Sequence, residues 1–141
     1  MVIEVKDSRT LAAELRPVLL RLTRELRRET HSLGVTAGQA SLLASIKSAP
    51  GVTASALAAQ ERVSAAAMSG QVSRLEEAKL IERTRGADRR RVGLTLTAEG
   101  EKVLRSVRQR RTAWLAARLD KLTDKERKAV DAAIPALEKL L

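Results

Sequence analysis

A mainly α fold with a small β wing is the class the sequence predicts, and three observations predict it. Apolar residues recur at three- and four-residue spacing over most of the chain, the pattern of amphipathic helices. Two runs, "LIERT" (80–84) and "RVGLTL" (91–96), are strand-like, the second alternating Val92, Leu94 and Leu96 with period two. Between them "RGADRR" holds the Gly and Asp expected of a hairpin loop. At 141 residues the chain fits a single domain, and a chain near that length buries roughly two thirds of the surface it exposes when unfolded.

The elements follow in order. Leu11, Leu15, Val18, Leu19, Leu22 and Leu26, with Arg21, Arg24, Arg27 and Arg28 between them, predict a long first helix from about residue 8 to 31. Pro17 should kink that helix or mark its true start, because proline removes a backbone donor. "TAGQ" (Thr36 to Gln39) has capping-box spacing ahead of Leu42, Leu43 and Ile46, so a second helix runs to about Ser48, where "APG" (49–51) stops it. Thr53 caps a short third helix, "ASALAAQ", and after "ERV" Ser64 caps a fourth through "AAAMSGQVSRLEEAK". The two strand-like runs then form the wing. Thr97 caps a fifth helix carrying Glu99 and Glu101 in its first turn and continuing through Val103, Leu104, Val107, Trp114, Leu115 and Leu119 to about Lys121. Thr123 and Glu126 form a second capping box. The last helix places Val130, Ile134, Leu137, Leu140 and Leu141 on its apolar side, with Pro135 as a kink.

Charge and inventory limit what such a molecule can do. A net charge of +10, from 27 Lys and Arg against 17 Asp and Glu, points to a polyanionic partner such as nucleic acid or an anionic membrane surface, the plainer alternative being a basic, well-solvated surface. Phe and Tyr are missing and Trp114 is the sole aromatic, so the stacking platforms used for single-stranded nucleic acid cannot be built, and duplex DNA is the better partner. Cysteine is absent, which excludes disulfides, thiolate metal sites and thiol redox switching. No apolar run approaches the roughly 18 residues that span a bilayer, and "MVIEVKDSRT" has neither a basic nor an apolar leader region, so a cytoplasmic protein without membrane contact is expected. No Ser, His and Asp arrangement, phosphate-binding Gly loop or metal-ligand cluster is visible; neither catalysis nor a cofactor is expected.

Two short helices joined by a tight turn form a helix-turn-helix, whose second helix enters a major groove. At 100 degrees per residue Met68, Val72 and Leu75 share one side, facing the core, while Ala66, Ser69, Gly70, Ser73 and Glu77 share the other. That outer side is small and smooth, suited to close approach to base edges, with Arg74 beside it able to grip a guanine bidentately. The wing tip carries Arg85, Arg89, Arg90 and Arg91, the side chain favoured by a narrow minor groove. Asp88 among them is expected to pair with an arginine or cap the turn and so hold the tip in one shape. The residues expected to meet DNA are Thr53, Ser64, Ala66, Ser69, Ser73, Arg74, Asp88, Arg89, Arg90 and Arg91.

The run "LAAQERVSAAAMSGQVSRLEEAKLIERTRGADRRRVGLTLTAEG" resembles the winged helix-turn-helix of the MarR family of bacterial transcription regulators. Its wing signature, D-x-R followed by L-T-x-x-G, stands here as Asp88, Arg90, Leu96, Thr97 and Gly100. The resemblance implies one domain over 1–141, with a DNA-binding lobe at 36–96 and dimerisation helices at 8–35 and 97–141. It further implies a homodimer on a pseudo-palindromic operator and a small anionic or aromatic effector bound between the two parts. Lys79 stands where many members have Gly, so the recognition helix is expected to lack a left-handed cap at its end.

His31, the single histidine, reads as a surface or capping residue rather than a ligand. The cationic run Lys102, Arg105, Arg108, Arg110 and Arg111 reads as a solvated face that adds to the electrostatic footprint, or as the lining of an effector pocket. Trp114 reads as core or dimer interface. The leading function is a dimeric, sequence-specific repressor controlled by a reversibly bound small molecule. The alternatives are an effector-independent, nucleoid-type DNA-binding protein and an enzyme or RNA-associated winged-helix subunit.

Overall fold

The computed structural model describes residues 4–85 and 91–141. Asp7 opens α1 (Ser8–Arg28) by accepting a hydrogen bond from the Thr10 amide at 2.7 Å. The helix runs unbroken through Pro17 and stops at Arg28, three residues short of the expected end, giving way to a 3₁₀ turn at His31–Leu33. His31 is exposed in that turn. Thr36 then caps α2 (Ala37–Ser48) with both bonds of the box: its hydroxyl accepts from the Gln39 amide at 3.0 Å, and its own amide donates to the Gln39 side chain at 2.9 Å.

After the stop at 49–51 the chain does more than turn. Gly51 donates to the Leu94 carbonyl and Leu94 donates to the Val52 carbonyl, both at 2.9 Å, so Val52 bridges the edge of the wing. Helix α3 (Ala54–Glu61) ends on Arg62, whose left-handed backbone (φ 54) brings the Val63 amide onto the Ala58 carbonyl at 3.0 Å. Ser64 follows at once as the cap of α4 (Ala65–Glu77), accepting from the Ala67 amide at 3.1 Å. The wing is an antiparallel pair, β1 (Ile81–Arg85) and β2 (Val92–Leu96), registered from Ile81↔Leu96 to Arg85↔Val92. Helices α5 (Ala98–Leu119) and α6 (Asp124–Glu138) complete the chain, α6 behind its predicted capping box at Thr123 and Glu126.

The core belongs to the middle of the molecule. Leu43 and Ile46 of α2, Leu57 of α3, Met68, Val72 and Leu75 of α4, Leu94 of β2 and Leu104 and Val107 of α5 are all buried together. These are the inward faces that periodicity assigned to α2, α4 and the first half of α5. Helices α1 and α6 contain no buried residue at all. Their apolar stripes lie open in the single chain, Leu11 and Ile134 each at 49% exposure. Among the described residues no helix is long and apolar enough to cross a membrane.

Candidate nucleic-acid interface

Helix α4 turns Met68, Val72 and Leu75 inward and leaves Ala65, Ala66, Ala67, Ser69, Ser73, Arg74 and Glu77 exposed. Ser64, Ala66, Ser69, Ser73 and Arg74 therefore belong to one accessible helix and its cap. Thr53 stands at the start of α3, half-buried, with its hydroxyl engaged by the Ala56 amide at 3.1 Å. Ser64 is likewise engaged as a cap, so both hydroxyls fix helix starts whatever else they meet. Arg91 is exposed at the foot of β2. Asp88, Arg89 and Arg90 lie outside the described residues.

Two features went unread in the sequence. Arg62, exposed, occupies the turn between α3 and α4 in the left-handed region, a conformation no spacing rule reveals for arginine. Glu76 of α4 accepts from Arg83 of β1, with Nε at 2.8 Å and Nη2 at 2.7 Å, tying α4 to the base of the wing. That hydrogen bond, reinforced by the carboxylate charge, raises the proton affinity of Arg83 above its ordinary value. The pair is seven residues apart across a helix-to-strand turn, a separation without periodic signature.

Lys79 corrects an expectation. The end of α4 keeps its left-handed cap although glycine is missing, because Lys79 itself takes φ 61. Its amide donates to the Glu76 carbonyl at 2.9 Å and the next amide, Leu80, donates to the Leu75 carbonyl at 3.0 Å. Those are the two bonds of a Schellman motif, closed by buried Leu75 and Leu80. The same turn meets the start of α5. The Thr97 hydroxyl donates to the Lys79 carbonyl at 2.7 Å and accepts from the Gly100 amide at 3.0 Å, while the Thr97 amide donates to the Leu80 carbonyl at 3.0 Å. A Cβ on Gly100 would stand 2.0 Å from that Leu80 oxygen, so the L-T-x-x-G spacing is one of contact as well as capping.

On the far side of α2, a cleft of about 340 Å³ opens between α1, α2 and α5, with Leu26, Ala40, Leu104 and Val107 among its apolar lining and Arg27, Arg108 and Arg111 among its cations. Arg111 donates to the Leu26 carbonyl at 3.2 Å. Burial, and then the like charge of Arg27, lower its proton affinity from the ordinary arginine value. Farther along α5, Trp114 is half-buried with the Arg118 guanidinium 3.7 Å above its ring.

Comparison with known proteins agrees with this geometry. The chain is similar to a solved transcriptional regulator from Pseudomonas aeruginosa, with 35% identity, a TM-score of 0.83 and 97% of each chain covered. It is 31% identical to an HTH-type transcriptional regulator of Mycobacterium bovis over 87% of both chains. The HTH-type transcriptional repressor MdtR of Bacillus subtilis is 33% identical over 79% of this chain and 73% of its own. The MarR family model matches residues 35–92, which hold the three helices of the core lobe and the wing up to the start of β2. A winged helix-turn-helix with an exposed recognition helix, and relatives above 30% identity along most of their length, place this chain in the MarR family of transcription regulators.

Proposed function

We propose that the chain is a homodimeric repressor that binds a pseudo-palindromic duplex operator and is released by a small anionic effector. Residues 36–96 form the DNA-binding lobe, and 8–35 with 97–141 form the dimerisation helices. One observation carries the reading: the apolar surface is divided between a packed lobe and two helices, α1 and α6, that bury nothing of their own. Leucines left open on both terminal helices fit an isologous twofold interface, which would set two copies of α4 side by side. Recognition helices about 34 Å apart would meet successive major grooves.

In this reading α4 reads bases through Ala66, Ser69, Ser73 and Arg74, while Arg89, Arg90 and Arg91 enter or flank the minor groove and Asp88 orders them. Thr53 and Ser64 approach phosphates at helix starts. Repression is supported by the likeness to MdtR, itself a repressor by name. The effector is assigned to the cleft between α1, α2 and α5, where an anion would relieve the repulsion between Arg27 and the part-buried Arg111.

The test is a genome-wide map of bound sites followed by mobility shifts on the recovered sequence. A palindrome bound far above bulk DNA supports the proposal; uniform binding replaces it with the nucleoid-type reading. Salicylate-like acids and hydrogen peroxide are titrated in parallel. Release by peroxide that a thiol reductant reverses would refute control by reversible ligand binding, and failure of every acid would remove the effector while leaving the dimeric DNA binder.

A further inference from the structure

We propose that Thr97 is a positioning residue for DNA recognition: its hydroxyl fastens the end of α4 to the start of α5, so that the half-site spacing set by the dimer reaches the recognition helix. The inference rests on the dimeric reading above.

The argument begins at Lys79. The left-handed turn there ends α4 and leaves the carbonyls of Lys79 and Leu80 as acceptors for α5. Thr97 takes both, the first with its hydroxyl at 2.7 Å and the second with its amide at 3.0 Å. The same hydroxyl caps α5 by accepting from Gly100 at 3.0 Å. One oxygen thus serves two helix ends, and Gly100 lets them meet backbone to backbone. From this joint α5 runs for 22 residues, about 33 Å, toward the exposed Leu115 and the open stripe of α6. A rod clamped at one end to a partner and at the other to α4 holds the recognition helix at a fixed orientation relative to the twofold axis. With the hydroxyl bond to Lys79 broken, the lobe remains packed but α4 turns more freely on α5.

The two functions of the oxygen separate by substitution. Thr97→Asp still caps α5, since aspartate is at least as good an N-cap as threonine, but its carboxylate cannot donate to the Lys79 carbonyl. Thr97→Val loses both bonds, and Thr97→Ser keeps both. Glu101→Gln is the control: Glu101 lies in the same first turn of α5, but its ion pair, at 2.6 Å, is with Lys47 of α2.

The experiment uses the full-length dimer and a palindrome selected in vitro with the wild-type protein. Each variant is measured on that duplex and on one with a single base pair added between the half-sites, which displaces one half-site by about 3.4 Å and rotates it. The readout is the ratio of the two dissociation constants, in which folded fraction and any uniform charge effect cancel. Wild type, Thr97→Ser and Glu101→Gln are expected to bind the lengthened duplex about tenfold or more weakly, while for Thr97→Asp and Thr97→Val the ratio falls to about threefold or less. Thr97→Asp with the wild-type ratio overturns the joint, because capping alone then accounts for Thr97. Loss of the ratio in Glu101→Gln also overturns it, since any loosening of α5 would then suffice. A wild-type protein indifferent to spacing overturns instead the two-half-site reading on which the joint depends.

Discussion

Gly70 lies inside α4 with nothing among the described residues within 4 Å of where a Cβ would be, so none of them requires a glycine there. A helix-interior glycine costs about 0.5–1 kcal/mol relative to alanine. Close approach to a base edge would account for it, and the two explanations separate: Gly70→Ala should raise the melting temperature yet weaken operator binding. A variant that is more stable and binds equally well would show that α4 does not approach DNA along this face. Lys79 presents the reverse case, an L residue held at φ 61 where glycine would be unstrained. Lys79→Gly is expected to stabilise the fold by about 0.5–1 kcal/mol in denaturant unfolding, the relief of strain exceeding the added chain entropy. Arg74→Ala should cost about 1–3 kcal/mol on the selected palindrome and much less on random duplex; equal losses on both would reduce Arg74 to a phosphate ligand.

Among the elements, the wing and the first turn of α5 carry separate predictions. Arg90→Ala should weaken operator binding severely and lower the salt slope by about one unit for each phosphate left without its cation, measured by titration at several salt concentrations. Asp88→Ala should weaken binding too, although it removes a negative charge; tighter binding would show that charge and not order governs the tip. In α5, the hydrogen bond from Lys47 holds the Glu101 carboxyl below its ordinary value of 4.5. A depressed folded pKa stabilises the fold above the unfolded value, and this contribution is lost as pH falls through the folded one. Glu101→Gln should therefore melt below wild type at pH 7, and the gap should close as pH falls through the lowered folded pKa; a gap independent of pH would assign the effect to packing. Much of the architecture was legible because helix caps and apolar periodicity are local: Thr36, Ser64, Thr97 and Thr123 marked helix starts, and Met68, Val72 and Leu75 marked a buried face. What stayed hidden depends on contacts between segments or on backbone dihedrals. The Glu76–Arg83 pair, the Val52–Leu94 bridge and the left-handed Arg62 and Lys79 leave no trace in spacing. The small outer face of α4 was readable as a surface, whereas the bases proposed to meet it are not written in the chain.

For the molecule as a whole, the proposed dimer rests on the open stripes of α1 and α6. Leu19→Glu with Ile134→Glu should sediment as a monomer while the core lobe keeps its fold, because neither residue belongs to the buried cluster. Affinity for a single half-site should be unchanged, and affinity for the full palindrome should fall by about a hundredfold or more, as expected when the second binding event is no longer intramolecular. A dimer that survives both charges would place the interface elsewhere. The position of Trp114 would give the proposed dimer an optical signature. Phe and Tyr are absent, so one indole supplies essentially all of the aromatic absorbance and emission of the chain. It sits far along α5, beneath Arg118 and beyond the core residues of that helix. Intrinsic fluorescence should therefore follow dissociation of the subunits on dilution, and respond to duplex DNA only as far as binding at one end of α5 is felt at the other.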